Sequence, residues 1–200
     1  MINISQLNFS RGSNKIFEEF NLSISDSGST LLSGPNGSGK TTLLNLIGGI
    51  LTPDSGTIFI NDQKLSELTS KKQAALRSIA PQRRVFDLAF SVKDVLAIIK
   101  PKHRASHWQL VVENLDLNEL MDKKITELSL GQQQRVSVAL ALIQEAYFYL
   151  LDEPFSAQDS QYSTRLLELL AILKKERGIF VISHNTDAVS ANFDSIVSLA

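Results

Sequence analysis

The sequence predicts an α/β fold with a mixed, mainly parallel sheet, N-terminal antiparallel strands and an inserted all-helical subdomain. Three observations lead to this prediction. A glycine-rich loop at 34–42 joins an apolar strand to a helix, an apolar run at 148–151 ends in two acidic residues, and residues 91–144 have helical periodicity. Strand patterns lie on both sides of that helical stretch, so we expect the helices to interrupt one sheet.

Strand and helix patterns follow one another along the whole chain. Ile2–Phe9 and Ile16–Ile24 alternate apolar and polar residues and are joined by a turn at 11–14, which predicts an antiparallel pair. The further expected elements, in chain order, are a strand at Leu31–Leu32, a helix at Thr42–Ile47, a strand at Thr57–Ile60, a helix at Leu65–Arg77, a strand at Ser78–Ala80, the helical stretch 91–144, a strand at Tyr147–Leu151, a helix at Ser160–Lys175, a strand at Ile179–Ser183, a short helix near Thr186–Ala191 and a strand at Ser195–Leu199.

The composition suits one domain over residues 1–200. Its 43% apolar content can bury a full core, for which we expect a core subdomain at 1–85 and 145–200 and a helical subdomain at 86–144. The formal net charge of −1 gives no general attraction to nucleic acid, and the absence of cysteine excludes disulfides and thiolate metal sites. No apolar run approaches the ~18 residues of a spanning helix, so we expect any membrane link to go through a partner.

The loop at 34–42 reads G-P-N-G-S-G-K-T-T and matches the phosphate-binding P-loop pattern. Its glycines let the backbone wrap around a polyphosphate, and the helix that follows points free N–H groups at the charge. Lys40 is expected to reach the β- and γ-phosphates, and the Thr41 hydroxyl to ligate Mg²⁺. The predicted nucleotide-binding residues of this loop are Gly34, Pro35, Asn36, Gly37, Ser38, Gly39, Lys40, Thr41 and Thr42.

Two acidic residues follow the apolar run Phe148–Leu151. A buried strand that ends in two carboxylates places both at the edge where α/β sheets bind ligands. Asp152 is then expected to hold Mg²⁺ through its water shell, and Glu153 to polarise the attacking water as general base. A strand followed by an acidic helix N-terminus is the alternative.

The segment 128–135, L-S-L-G-Q-Q-Q-R, precedes an alanine-rich helix. Ser129 is expected to be the N-cap of that helix, and Gln132 completes a capping box. The segment is therefore either an ordinary helix start or a second phosphate-binding helix N-terminus.

These motifs occur in the order seen in ATP-binding cassette (ABC) ATPases, and the chain resembles this family over essentially its whole length. The glycine-rich loop is its Walker A motif, the strand ending in Asp152 and Glu153 its Walker B motif, and 128–132 its signature. Gln82 after Ala80-Pro81, the segment Ser156–Asp159 and a late His184 complete the series. The resemblance implies a P-loop NTPase core that hydrolyses ATP with Mg²⁺.

The resemblance also implies a head-to-tail dimer, of this chain with itself or with another ABC subunit, holding two ATP molecules at its interface. Ser129 and the Gly131 amide, with Gln132 in the same signature, would then serve the nucleotide bound by the partner. Gln82 would sense Mg²⁺ and the attacking water, and His184 would contact the γ-phosphate and orient Glu153. Asp159 would lie in the loop that crosses between subunits.

The sequence departs from the family pattern at three places. Leu130 stands where the signature usually has its first glycine, and it could crowd the site across the dimer. Arg11 aligns with the aromatic residue that usually stacks on adenine and could stack its guanidinium on the base, with Phe9 two residues earlier. Gln158 replaces an apolar residue that is common in the crossing loop.

By this resemblance, the chain is the ATP-hydrolysing subunit of an ABC transporter, peripheral to the cytoplasmic face of a membrane. A separate transmembrane permease subunit would dock near Gln82–Val95, and no nucleic-acid partner is expected. The segment 81–95 is similar to the corresponding region of metal-ion and metal-chelate importers. Two alternatives stay open: a soluble ABC-type ATPase in cofactor assembly, and an ATP-binding regulatory module with weak turnover, to which Leu130 points.

Overall fold

A four-stranded antiparallel sheet contains the N-terminal strands. The computed structural model describes residues 1–82, 84, 86, 89–99, 105–156, 158–184 and 189–199. Within them, the strand order of this sheet is β2 (Asn14–Ile24), β1 (Ile2–Arg11), β4 (Ser55–Ile60) and β5 (Gln63–Lys64). The predicted hairpin is present, and both strands are longer than expected because pairing continues to Arg11 and Asn14, directly beside the turn.

A second sheet is parallel throughout and has five strands. Its order is β6 (Arg77–Ala80), β7 (Phe148–Asp152), β8 (Gly178–Ile182), β3 (Gly28–Ser33) and β9 (Ser195–Ser198). The predicted mixture of antiparallel and parallel strands is therefore divided between two sheets. The carboxyl ends of parallel strands meet at one edge, so the segments after β3, β7 and β8 emerge together there.

Six α-helices are found in the described part of the chain: α1 (Lys40–Ile47), α2 (Ser70–Leu76), α3 (Val92–Ala97), α4 (Ala105–Asn114), α5 (Leu130–Ile143) and α6 (Ser160–Leu173). One-turn 3₁₀ helices lie at Leu65–Glu67, Asn118–Leu120, Ile125–Glu127 and Ser190–Asn192. The expected helical stretch thus contains α3, α4 and α5. The first half of the short helix predicted near Thr186–Ala191, residues 186–188, lies outside the described residues.

The single helix predicted over Leu65–Arg77 is wrong. Leu68 has an extended backbone, and the Thr69 side chain accepts a hydrogen bond from the Lys72 N–H as the N-cap of α2. The chain therefore makes a 3₁₀ turn, straightens and starts a new helix. Apolar periodicity runs through both pieces and hides the break, whereas the cap residue marks it.

The parallel sheet is the middle layer of the molecule, because its side chains alternate between two hydrophobic clusters. On β7, Tyr149 and Leu151 join the cluster of α5, α6 and the helical stretch, whereas Phe148 and Leu150 join that of α1 and the antiparallel sheet. All five residues of β7 are buried, as the continuous apolar run predicts. Because β7 is buried on both faces, the position of Asp152 and Glu153 at its carboxyl end is fixed by the packing of the core.

Candidate active site

The glycine-rich loop runs from the end of β3 to the start of α1, as its sequence predicts. Gly34, Gly37 and Gly39 have φ angles of 143°, 86° and 92°, a region that favours glycine. A Cβ built on Gly34 would lie 2.5 Å from the Leu199 carbonyl oxygen, so a side chain there would displace backbone. Gly39 is the N-cap of α1 and gives it no side-chain cap, which leaves the first N–H groups of the helix to a ligand.

Lys40 is buried, with 6% of its surface exposed. Its ammonium donates hydrogen bonds to the carbonyl oxygens of Gly34 (2.8 Å) and Pro35 (2.7 Å). The positive charge is therefore held inside the curve of the loop. The nearby Ser38 hydroxyl is also buried and has no hydrogen-bond partner among the described residues. A buried ammonium and a spare hydroxyl donor within one glycine-rich loop suit a polyphosphate.

The two carboxylates at the end of β7 are almost fully buried, with 1% of Asp152 and 4% of Glu153 exposed. Burial raises the pKa of Asp152, and a hydrogen bond from Thr41 together with the charges of His184 and Lys40 opposes that rise. The Oδ1 atom of Asp152 has no hydrogen-bond partner among the described residues. A buried, unpaired carboxylate oxygen needs a cation or a water to satisfy it.

Glu153 faces His184 across the edge of the sheet. The His184 backbone N–H donates to Oε2 (3.2 Å), and Nε2 of the imidazole lies 3.1 Å from Oε1 without the alignment of a hydrogen bond. Burial is the largest cause of the raised pKa of Glu153, and the His184 backbone hydrogen bond is the largest opposing one. The raised pKa brings the carboxylate closer to the value that a general base needs near neutrality.

Glu153 has a φ of 53°, in the left-handed region. Its own N–H donates to the Ile182 carbonyl at 3.0 Å, so the chain turns sharply as soon as it leaves β7. Backbone in this region is uncommon for a residue with a Cβ and often marks a site where a side chain must be aimed. The turn sends the carboxylate towards the glycine-rich loop.

One cleft of about 290 Å³ brings these groups together. Gln82 and Arg11 also line it, as predicted from the sequence, whereas Phe9 is buried in the core and is not among the lining residues. Sequence reasoning missed Ile16, whose side chain lies beside the loop: a Cβ on Gly39 would lie 2.8 Å from its Cγ2. Its place just after the hairpin turn, between the paired residues Lys15 and Phe17, is the signal that could have identified it.

The cleft contains the ligand types that Mg²⁺ prefers. The Thr41 hydroxyl, the Asp152 carboxylate and the Gln82 amide oxygen line the same space, and Asp152 has an unsatisfied oxygen. These residues fit a magnesium ion, which would neutralise phosphate charge there. No group of three or more His, Cys, Asp or Glu side chains that could hold a metal occurs among the described residues.

The signature residues lie elsewhere on the surface. Ser129 is the N-cap of α5, and its capping box with Gln132 is confirmed in both directions: the Ser129 hydroxyl accepts from the Gln132 N–H (3.2 Å), and the Gln132 side chain accepts from the Ser129 N–H (3.0 Å). Ser129, Gly131 and Gln132 line a shallow depression with Leu130, Arg135, Gln158 and Asp159. This depression and the cleft around Lys40 share no lining residue. Leu130, which also lines the depression, is 82% exposed.

A phosphate-binding loop, two buried carboxylates and a histidine around one cleft define a P-loop nucleotide hydrolase. A family model described as "ABC transporter" matches residues 17–156. The chain belongs to this family: it is an ATP-binding subunit and an ATPase that uses ATP with Mg²⁺. Within the described ranges, we find no helix that is both long and apolar enough to cross a bilayer.

Three known proteins illustrate the similarity. The chain is 28% identical to the petrobactin import ATP-binding protein YclP of Bacillus subtilis, covering 100% of this chain and 83% of that one. It is 30% identical to the macrolide export ATP-binding/permease protein MacB of Campylobacter jejuni, covering 94% of this chain but only 31% of MacB. The post-hydrolysis dimer of the ATP-binding cassette MJ0796, bound to ADP and Pi, has a TM-score of 0.84 at 25% identity, covering 100% of this chain and 94% of that one.

Proposed function

We propose that this chain hydrolyses ATP to drive solute transport through a separate transmembrane subunit. The observation that carries the proposal is the cleft that joins the Lys40 ammonium to the carboxylates of Asp152 and Glu153. Family membership supports the link to transport. Purification of the chain from native membranes in mild detergent tests it: a stoichiometric polytopic membrane protein is expected. Soluble partners alone would favour the cofactor-assembly alternative.

The proposed chemistry assigns one task to each side of the cleft. The backbone of 34–42 and the Lys40 ammonium hold the β- and γ-phosphates, while Thr41, Asp152 and Gln82 hold Mg²⁺. Glu153 accepts a proton from the attacking water, whose oxygen bonds to the γ-phosphorus as the bond to the bridging oxygen breaks. ADP and phosphate leave. His184 fixes the direction of Glu153, with which it already makes the backbone hydrogen bond.

We further propose a head-to-tail dimer, of two copies or of this chain with another ABC subunit. The separation of the two surfaces on one chain supports it, because Ser129, Gly131 and Gln132 do not line the Lys40 cleft of their own subunit. In such a dimer, the signature depression of one subunit closes the cleft of the other. The similarity to the dimeric structure of MJ0796, bound to ADP and Pi, supports the formation of a dimer.

The proposed docking region for the permease is Gln82–Val95, which would place the chain at the cytoplasmic face of the membrane. Phe90 is 49% exposed there and offers apolar surface to a partner. Arg83, Val85, Asp87 and Leu88 of this region lie outside the described residues. The region spans the proposed boundary between the core subdomain, 1–85 and 145–200, and the helical subdomain, 86–144.

For the substrate, we propose import of a metal ion or metal chelate. The segment 81–95 supports it, as does the 28% identity to a petrobactin import protein. Because the chain is also similar to a macrolide export protein, the direction of transport has to be determined by experiment. A deletion strain should grow poorly when one metal is limiting and recover when that metal is supplied in excess. Growth equal to the parent on every limiting metal would contradict this substrate class.

A further inference from the structure

The loop that follows the catalytic carboxylate is bonded directly to the signature helix through Gln158. Gln158 lies five residues after Glu153 and directly before Asp159, the N-cap of α6. Its side-chain N–H donates to the Gly131 carbonyl at 2.9 Å. Gly131 is the second residue of α5, so this bond reaches the first turn of the helix that carries the signature.

The other end of the Gln158 amide is satisfied as well. Its Oε1 accepts from Nε of Arg135 at 3.0 Å, and the same guanidinium donates to Asp159 at 2.9 Å. The guanidinium also stacks over the buried Tyr162 ring, 4.7 Å from its centroid. Arg135 is thus held by the crossing loop and by α6, and it holds Gln158 in the orientation that reaches Gly131.

This arrangement depends on the chemistry of a glutamine. An amide offers a donor to Gly131 and an acceptor to Arg135 at once. A leucine of similar size would make neither bond, and a glutamate would keep the acceptor for Arg135 but lose the donor for Gly131. The two bonds join parts of the chain that are more than twenty residues apart in sequence.

We propose that Gln158 is a positioning residue that holds the signature helix in register with the loop leaving Glu153. The proposal rests on the proposed dimer, in which Glu153 serves the nucleotide of its own subunit and the signature serves that of the partner. Gln158 then links the geometry of one ATP site to that of the other. It does not line the Lys40 cleft, so it acts on closure and turnover and not on the first binding of ATP.

The test compares Gln158→Leu and Gln158→Glu with the parent chain and with Gln109→Leu as control. Gln109 is an exposed glutamine of α4 that bonds only to its neighbour Glu113 among the described residues. Amide hydrogen exchange of residues 133–136 is measured in the chain without nucleotide. Both Gln158 variants should exchange roughly tenfold faster there, the effect of losing about one hydrogen bond, and the control should match the parent.

The same proteins are assayed for ATP affinity, kcat and the Hill coefficient for ATP. Gln158→Leu should lower kcat roughly tenfold and reduce the Hill coefficient, with ATP affinity unchanged and Tm lowered by only a few degrees, as the loss of about one hydrogen bond implies. Unchanged exchange at 133–136 would overturn the proposal, and so would faster exchange with unchanged kcat. A fall in Tm of more than about 10 °C or a tenfold loss of ATP affinity would also overturn it, because it would show a general structural role.

Failure of the proposed function would give a different result. If the parent chain does not hydrolyse ATP and does not dimerise when ATP is present, the proposed function and the proposed link between two ATP sites are both wrong. The exchange result then decides alone whether Gln158 holds the signature helix. The two failures are therefore distinguishable in one set of proteins.

Discussion

Replacing Glu153 by glutamine removes the proposed general base and keeps its shape. An amide cannot accept the proton of the attacking water, so kcat should fall by about 10²–10⁴-fold. That fall corresponds to roughly 3–5 kcal/mol of activation free energy. The amide oxygen can still accept the His184 backbone hydrogen bond now made at 3.2 Å, so the local geometry should survive.

The burial of Glu153 sharpens this prediction. Burial raises its pKa in the folded state, which means that folding disfavours the charged form. At neutral pH, a neutral glutamine therefore removes a cost, and Tm should stay the same or rise. ATP affinity should be retained, because Lys40 and the glycine-rich loop are unchanged.

The assay is steady-state phosphate release with purified chain, together with equilibrium binding of a fluorescent ATP analogue and a thermal melt. Glu119→Gln is the matched control, since Glu119 is exposed and is absent from the lining of the cleft. A kcat within threefold of the parent would refute the base assignment. Loss of ATP binding with kcat per bound site unchanged would instead place Glu153 among the binding residues.

Four further predictions concern the same surfaces. Lys40→Ala should weaken ATP binding by at least tenfold in a direct binding assay, because it removes the only ammonium lining the described cleft; equal affinity would contradict its assignment to phosphate. Leu130→Gly should change kcat by less than about tenfold, and a rise of several orders of magnitude would instead support a regulatory module with weak turnover. Because burial raises the pKa of Glu153 above the ordinary glutamate value, kcat should fall as pH drops through that folded-state pKa, and a rate that stays unchanged down to the ordinary glutamate pKa in a pH profile would count against it. Phe90→Asp should reduce recovery of the chain with membranes but leave its ATP affinity unchanged, and equal recovery would remove Phe90 from the docking surface.

Local patterns account for the parts of the fold that the sequence predicts well. The loop at 34–42, the buried strand β7 and the capping box of Ser129 with Gln132 each depend on residues close together in the chain. Their geometry follows from short-range chemistry, such as positive φ at glycine or a side chain that bonds three residues ahead. These are also the parts that define the class of protein.

The features that the sequence does not predict depend on contacts between residues that are far apart in the chain. Ile16 reaches the nucleotide cleft because the hairpin folds over the glycine-rich loop, and its place just after the turn is the only local sign of that. The division into two sheets depends on pairing between β1 and β4, more than forty residues apart. The bond from Gln158 to Gly131 likewise depends on how the crossing loop packs against α5, so the sequence marks only an unusual residue there.

Helix α5 contacts each part that the proposed mechanism must coordinate. Ser129 is at its N-terminus. The Gln134 side chain donates a hydrogen bond at 3.5 Å to the carbonyl of Pro81, the residue before Gln82. Arg135 bonds to Gln158 and Asp159 in the crossing loop. Protein interiors are packed at the density of organic crystals and transmit strain. In the proposed mechanism, a shift of the signature on closure would therefore move the Gln82 region and the crossing loop together, which is the coupling that the proposed transporter subunit needs between nucleotide and permease. The hydrogen-bond distances predict the relative strength of these contacts. The bond from Gln134 to the Pro81 carbonyl is 3.5 Å long, and the bond from Arg135 to Gln158 is 3.0 Å long. We therefore expect Gln134→Leu to lower kcat less than Gln158→Leu does.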